Sequence, residues 1–534
     1  MNKTFSNFIL AFIIGVLFIN CANRGTPDGG PKDDTPPTII KSEPENFSTN
    51  FKGNEIRVYF DEYIKIKDIQ KQLIISPPMK TQPEIKPLGS ASKYISIKIF
   101  DTLQPNTTYA FNFGNSITDN NEENPYPYYR YVFSTGDYID SLTVKGNIVD
   151  ALKTQPETFV NVALYEVDST FTDSIFFKET PKYITNTLDS LTTFSIENIK
   201  AGKYMLVALK DGNGDNKFQQ KSDQIAFHKS FVEVPSDSLY TLRLFKEDID
   251  FNATRPKLIS GEKIAFGYEG SYENMRIKIL SETPEDFEYR ITKDEKTDTL
   301  YYWYKPRIKV DSLLFKVSHP NFEKEFTVRI SEQKRDSLKI NKSPSGTIGI
   351  NEDFKIWGNT PLVNFDTSKV ALIDKDSAQV DFTSKFDTIT NTYTLSFNKT
   401  EDNGYKIKIL PEAFKDFFED TNDTLNFNVS TKKSSDFGFA RFTLVNAKYP
   451  LIIQLTDNKG DVKTERYVTD AVPVDFLNLP AATYYIRVIH DTNGNGKYDT
   501  GNYLKKIQPE RVSHFDEIEI RADWGYPETL TFKE

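Results

Sequence analysis

One cysteine, four histidines, four methionines and three tryptophans are all that 534 residues contain of those types. A lone thiol closes no intrachain disulfide, and a zinc site takes several nitrogen or sulfur ligands, which Cys21 and four scattered histidines do not supply. The sequence also lacks a nucleophile elbow, an HExxH pair and a phosphate-cradling glycine loop. A hydrolase needs an activated nucleophile with a base in reach, and His228, His319, His490 and His514 stand in contexts that offer neither. Neighbouring carboxylates such as Asp61 with Glu62, or Glu122 with Glu123, are read as solvated turn residues. The chain is therefore read as non-enzymatic. Excess positive charge is missing too: a formal net charge of −10 and a pI near 5.3 exclude the Lys/Arg-rich surface of a nucleic-acid binder. Past residue 20 no apolar run approaches the roughly 20 residues that span a bilayer.

What is abundant points to strands. Phe (41) and Tyr (28), with many Thr, Ile and Val, suit pleated, half-buried surfaces. At the start, Lys3, an apolar run over residues 8–19 and an abrupt polar switch at Ala22 mark residues 1–20 as a cleaved export segment. The sequence FINC ending at Cys21 resembles the lipobox of bacterial lipoproteins, with Asn20 where a small residue is usual. The resemblance implies a covalent lipid on Cys21 and a chain anchored to an outer membrane, the cell surface favoured over the periplasmic face. Residues 21–37, built of Gly, Pro, Asp and Lys, form no core and act as a solvated tether.

From Thr38 onward, strand-like runs alternate with turn clusters at the spacing of a β-sandwich. TPPTIIKSEPEN, VYFDEYI, LIISPP, LQPNTTYAFNF, ITDNNEEN and VFSTG resemble, in that order, the bacterial Ig-like domain of S-layer proteins. A weaker echo, GYKIKILPEAFKDFFEDTNDTLNFNVST, places a second such domain later in the chain. An internal repeat is plainer. Residues 194–218 align without a gap to residues 474–498, pairing Asn198 with Asn478, Tyr204 with Tyr484, Asp211 with Asp491 and Asn213 with Asn493. Such matching means one supersecondary unit used twice, and both copies resemble transthyretin-like or Cna-B-like sandwiches of surface proteins. The expected architecture is all-β: serial Ig-like and transthyretin-like sandwiches after a lipoprotein signal peptide. Its divisions are 38–136 (Ig-like), 137–248 (transthyretin-like), 249–342 (sandwich without signature), 346–432 (Ig-like) and 434–534 (transthyretin-like). Short links between them suggest a moderately stiff rod.

Calcium takes six to eight oxygen ligands and favours alternating carboxylates and amides in a curved loop. Asp211, Asn213 and Asp215, with Asp223 in the place of a closing carboxylate, form one such pattern; Asp491, Asn493, Asn495 and Asp499 form the other. Structural Ca2+ in at least one loop is expected. Turn chemistry is the rival reading, since Asn and Gly tolerate positive φ. Two aromatic clusters, one holding Tyr126 and Tyr128, the other Tyr301 and Trp303, offer anchors for a protein partner or stacking platforms for glycans. Alternation along a strand turns only half of each outward. Together these features read as an outer-membrane-anchored, non-enzymatic binding or scaffold subunit docking to a β-barrel or other envelope protein. The alternative is a carbohydrate-binding surface protein or adhesin.

Overall fold

The computed structural model describes residues 33–188 and 192–533. The export segment, Cys21 and most of the tether lie outside the described residues. Among the described residues the regular structure is all strand, apart from two one-turn α-helices, Ile69–Gln72 and Ile175–Lys178, and two short 3-10 turns. Alternation explains this: Glu55–Ile66 runs EIRVYFDEYIKI, which puts Ile56, Val58, Phe60 and Ile64 on the buried side.

Five sandwiches follow one another. The first (Ile39–Glu43 to Arg130–Ser134) pairs two sheets over a core of Ile56, Val58, Phe60, Phe111, Tyr131 and Phe133. The fourth has the same layout, down to a parallel pairing beside its last strand, Leu425–Ser430. It begins earlier than the sequence suggested, because Ile340–Ser343 pairs antiparallel with Phe354–Gly358. That segment is held by the fourth sheet's ladder and has no strand partner in the third.

The second and fifth sandwiches share one topology. In the second, Leu142–Asp150 lies between Thr193–Ile199 (antiparallel) and Leu239–Leu244 (parallel). In the fifth, Phe437–Val445 lies likewise between Val474–Pro480 (antiparallel) and Gly525–Thr531 (parallel). Facing each is a sheet centred on the strand that leads into the Asp/Asn/Gly loop, Gly202–Lys210 or Ala482–His490. The gapless alignment thus continues into a shared strand order.

The sandwiches do not form the expected rod. Neighbours in sequence do touch: Lys221 pairs with Glu269 at 2.5 Å between the second and third, and the Arg335 guanidinium lies 3.9 Å from the Phe418 ring between third and fourth. The fifth then returns to the second. Tyr503 is fully buried in an aromatic cradle of the second sandwich, its ring centroid 4.4 Å from Phe176 and 5.3 Å from Phe227. Around it, Tyr503 N donates to Glu247 Oε1 (2.5 Å), Gln508 Nε2 to the Phe227 carbonyl (2.9 Å) and Thr500 Oγ1 to the Lys246 carbonyl (2.6 Å). Lys506 pairs with Asp173 at 2.6 Å. A glycine is required beside the tyrosine, since a Cβ on Gly501 would fall 2.5 Å from Phe245 Cζ. The rod expectation failed because an aromatic plug on one repeat meets a matching cradle on the other, which closes sandwiches two to five into a circuit.

Candidate functional site: the seam between the first two sandwiches

The first and second sandwiches meet where Ile74–Ser76 lies against Tyr183–Asn186. Ile184 N donates to Ser76 Oγ (3.1 Å), while Arg130 pairs with Glu197 and donates to Asn198 Oδ1 at 2.7 Å. Asn198 sits at φ 61, a conformation Asn tolerates, and its amide also reaches the Asp140 carbonyl (2.8 Å). These bonds fix one domain against the other.

Three adjoining clefts surround that contact, of 530, 520 and 660 Å³. The first and second share the walls Ile74, Ile184 and Asn186; the second and third share Pro78, Met79, Lys80 and Thr180. Each lies in the size range of small-ligand sites, which favour domain boundaries. Amides recur in the lining: Asn112, Asn161, Asn186, Asn216, Gln70 and Gln82. Half-buried Ile74 and the buried Ile184, Leu188 and Phe194 supply the apolar part of the first cleft's lining, and charges of both signs line the clefts. Residue 146 beside Phe194 is required to be glycine, since a Cβ would run into the Tyr240 carbonyl oxygen and fall 2.7 Å from Phe194 Cζ.

Two of the sequence-designated residues line this seam, in different clefts. Tyr128, 43% exposed and held at φ 56, lines the first cleft. A bulky residue in the left-handed region is uncommon, and here Tyr128 N is tied to the Gly114 carbonyl at 2.7 Å. Asp215 lines the second cleft with its neighbours 214, 216 and 217. The others lie elsewhere. Tyr126 is half-buried, edge-on to Phe60 and Tyr129. Tyr301 is half-buried over Lys263 (3.9 Å) and donates to Asp294 Oδ2 (2.9 Å); burial, then the Asp294 carboxylate, pushes its hydroxyl up to about 12.

Trp303 departs from the expected role. Only 3% exposed, it donates from Nε1 to Thr292 Oγ1 (2.9 Å) and faces Phe418 of the fourth sandwich across 6.3 Å. Alternation does turn it off its own core, but the next sandwich covers that side.

The two Asp/Asn/Gly loops are self-bracing. Asp491, nearly fully buried, accepts from Gly494 N (2.8 Å), Asn495 N (3.2 Å) and Gly496 N (2.7 Å). Asp211 does the same for residues 213, 214 and 216 with more exposure. Asp223, expected as a closing ligand, is buried and accepts from Gly212 N (3.0 Å), Gln219 N (2.7 Å) and Ser222 Oγ (2.8 Å). Its counterpart in the fifth sandwich is Glu510, which accepts from Thr492 N (2.7 Å) and Asp499 N (3.1 Å). The sequence reading missed Glu510 because the plug is inserted before it. The only available signal was the excess length of the second loop.

The carboxylates and amides of Asp491, Asn493, Asn495 and Asp499 suit a hard cation in donor chemistry. As placed, Asn493 Nδ2 and Asn495 Nδ2 both donate to Asp499 Oδ2, at 2.5 and 2.8 Å. Among the described residues no group of three or more His, Cys, Asp or Glu side chains gathers as a metal site. The histidines serve packing: His319 stacks on Phe251 at 4.3 Å, and His490 Nε2 bonds Ser513 Oγ at 2.9 Å. No helix among the described residues is long and apolar enough to cross a membrane.

Comparison with known proteins supports the type of the first domain. Residues 33–135 match the family model described as a bacterial Ig-like domain, so the first sandwich is Ig-like. No curated protein matches the chain. Among solved structures, domains 1–6 of the surface layer protein SbsC align over 86% of this chain and 66% of that one, at 12% identity and a TM-score of 0.16. The chain thus spans about two thirds of that protein's length. A Bacteroides ovatus protein, SGBP-B of a mixed-linkage glucan utilization locus, solved with a mixed-linkage heptasaccharide, aligns over 71% of this chain and 92% of that one, at 11% identity and a TM-score of 0.18. The titin fragment I67-I69 covers 53% of this chain and 98% of its own, at 13% identity and a TM-score of 0.12. Superpositions this poor transfer no role. The chain is an all-β protein of tandem sandwiches opening with an Ig-like domain.

Proposed function

We propose that the chain is a non-catalytic surface protein that holds a glycan in the seam between its first two sandwiches. The observation that carries this reading is the set of three adjoining clefts, the first and second lined by amides, with the exposed Tyr128 on the first. Amides donate and accept in the same plane and so match the paired donor and acceptor character of sugar hydroxyls. The exposed ring of Tyr128 offers surface to the C–H faces of sugar rings. The mixed charge of the lining favours a neutral polysaccharide over an acidic one. Retardation in native gels cast with neutral β- and α-glucans tests it. Retention lost on Tyr128→Ala and weakened on Asn186→Ala supports the reading, and equal mobility with and without every glycan refutes it.

Docking to an envelope protein such as a β-barrel is the second reading, and a different surface favours it. Phe439, Leu477 and Trp524 of the fifth sandwich are exposed by 43%, 58% and 66%, and Phe439 N bonds the Trp524 carbonyl. Tryptophan is enriched among anchors that carry interface energy. Co-purification from detergent-solubilised membranes, lost on Trp524→Ala, would support it.

Two features complete the proposal. A lipid on Cys21 would hold the chain at the outer face of an outer membrane, and palmitate labelling lost on Cys21→Ser tests this. Calcium at the Asp491 loop would turn the Asn493 and Asn495 carbonyls inward and stiffen the loop beside the plug.

A further inference from the structure

We infer that the plug of the fifth sandwich supports the wall of the seam clefts, so that docking of the C-terminal domain and occupation of the seam are coupled. The ligand half of this inference rests on the proposed glycan reading; the structural half does not.

Two short segments carry it, each with one side in a cleft and the other in the buried aromatic cluster that holds Tyr503: the helix touches Tyr503 directly, the loop through Phe176. The first is the helix Ile175–Lys178 with the residues that follow. Ile175, Glu179 and Thr180 line the third cleft, and Thr180 also lines the second. On the other side, Phe176 and Phe177 lie 4.4 and 6.4 Å from the Tyr503 ring. The second is the Asp/Asn/Gly loop, whose residues 214–217 line the second cleft while the next residue, Phe218, stacks on Phe176 at 5.2 Å and 8°. Phe218 N donates to the Phe176 carbonyl (3.1 Å), so helix and loop move together. Tyr165, a lining residue of the third cleft, bonds the carbonyls of Glu179 and Asn216 from one hydroxyl, at 3.4 Å each. Lys506 fixes the approach to the helix through Asp173.

A one-turn helix cannot hold its own shape, because nucleation of a helix is unfavourable without tertiary packing. Here that packing comes from Tyr165 and Phe218 of the same sandwich together with Tyr503 of the fifth. With the plug withdrawn, Phe176, 1% exposed in the structure, loses one of its aromatic neighbours, and the segments at residues 175–180 and 214–218 lose a common support. A ligand that contacts the ordered wall then binds more tightly when the fifth sandwich is docked, and by reciprocity its binding favours docking.

The test uses the full chain, with Tyr503→Ala removing the plug's ring. Gly501→Ala is a second variant that keeps Tyr503 and places a Cβ 2.5 Å from Phe245 Cζ and 2.8 Å from the Ile507 carbonyl. Hydrogen exchange without ligand is expected to quicken in residues 175–180 and 214–218 while strand Ala482–His490 stays protected, which shows the fifth sandwich still folded. In glycan gels both variants are expected to bind about 10-fold more weakly, within the usual range of coupling between sites. Unchanged exchange in both segments overturns the proposal. Quickened exchange with no retention of the parent protein on any glycan upholds the coupling of plug and wall and overturns only the glycan reading.

Discussion

The second and fifth sandwiches begin from one pattern and end in different roles. Both lead a strand into a loop whose first aspartate gathers backbone N–H groups, and both close that loop with a buried carboxylate. In the second, four positions separate Gln219 from Asp223; in the fifth, eleven separate Asp499 from Glu510. The extra residues form the plug, and the compact version of the same loop, with the helix beside it, forms the cradle. A repeat can thus acquire an internal partner by lengthening one copy only. The scaffold tolerates this because long surface insertions add little closure entropy.

Several measurements would break or sharpen this contrast. The largest effect is expected in the cradle: Phe176→Ala removes a ring packed on Phe218 and Tyr503, and should cost about 4 kcal/mol of the second sandwich's stability. Denaturant unfolding followed by domain-resolved hydrogen exchange would report it. Next comes Asp491→Ala, which takes a buried carboxylate from three backbone N–H groups and should cost about 3 kcal/mol in the fifth sandwich. The matching Asp211→Ala, whose carboxylate is only half-buried, should cost about 1 kcal/mol. Equal losses at the two sites would show that burial does not distinguish the loops.

Protons should separate the copies as well. Burial, with Arg511 and Lys448, holds His490 below its ordinary value, and burial with Arg487 does the same for His514. A histidine lowered in the folded state contributes stability above its unfolded pKa of about 6.5, and that stability is lost as pH falls through the lowered value. Thermal unfolding between pH 7 and pH 5 (roughly the titration window of these groups) should therefore weaken the fifth sandwich more than the second. His490→Gln with His514→Gln should flatten the difference. The smallest effect is expected of Tyr503→Phe. The Tyr503 hydroxyl is buried without a hydrogen-bond partner, so docking should be unchanged or slightly tighter, read by exchange at residues 175–180.

Much of this fold was legible in the sequence. Alternating residues such as Ile56, Val58 and Phe60 announced strands, the Ig-like signature marked the first sandwich, and the gapless repeat anticipated a shared strand order. The candidate site was legible in fragments. Tyr128 and Asp215 were singled out, but nothing local in sequence says that two domains bring them to one seam. Trp303 shows the same limit from the other side: period-two alternation turned it outward correctly, and only the position of Phe418 in the next sandwich makes outward mean buried. Tyr503 escaped notice because an inserted loop carries no periodicity; its burial is decided by residues more than two domains away.

The closed circuit has a consequence for how strong the plug contact must be. Cradle and plug belong to one chain joined through two intervening sandwiches, so the contact is unimolecular and works at a local concentration on the order of millimolar. An interface too weak to pair two separate proteins at cellular concentration is then sufficient to stay shut. A single proteolytic cut between the third and fourth sandwiches would remove that advantage, and the C-terminal half would dissociate on dilution although no contact residue had changed.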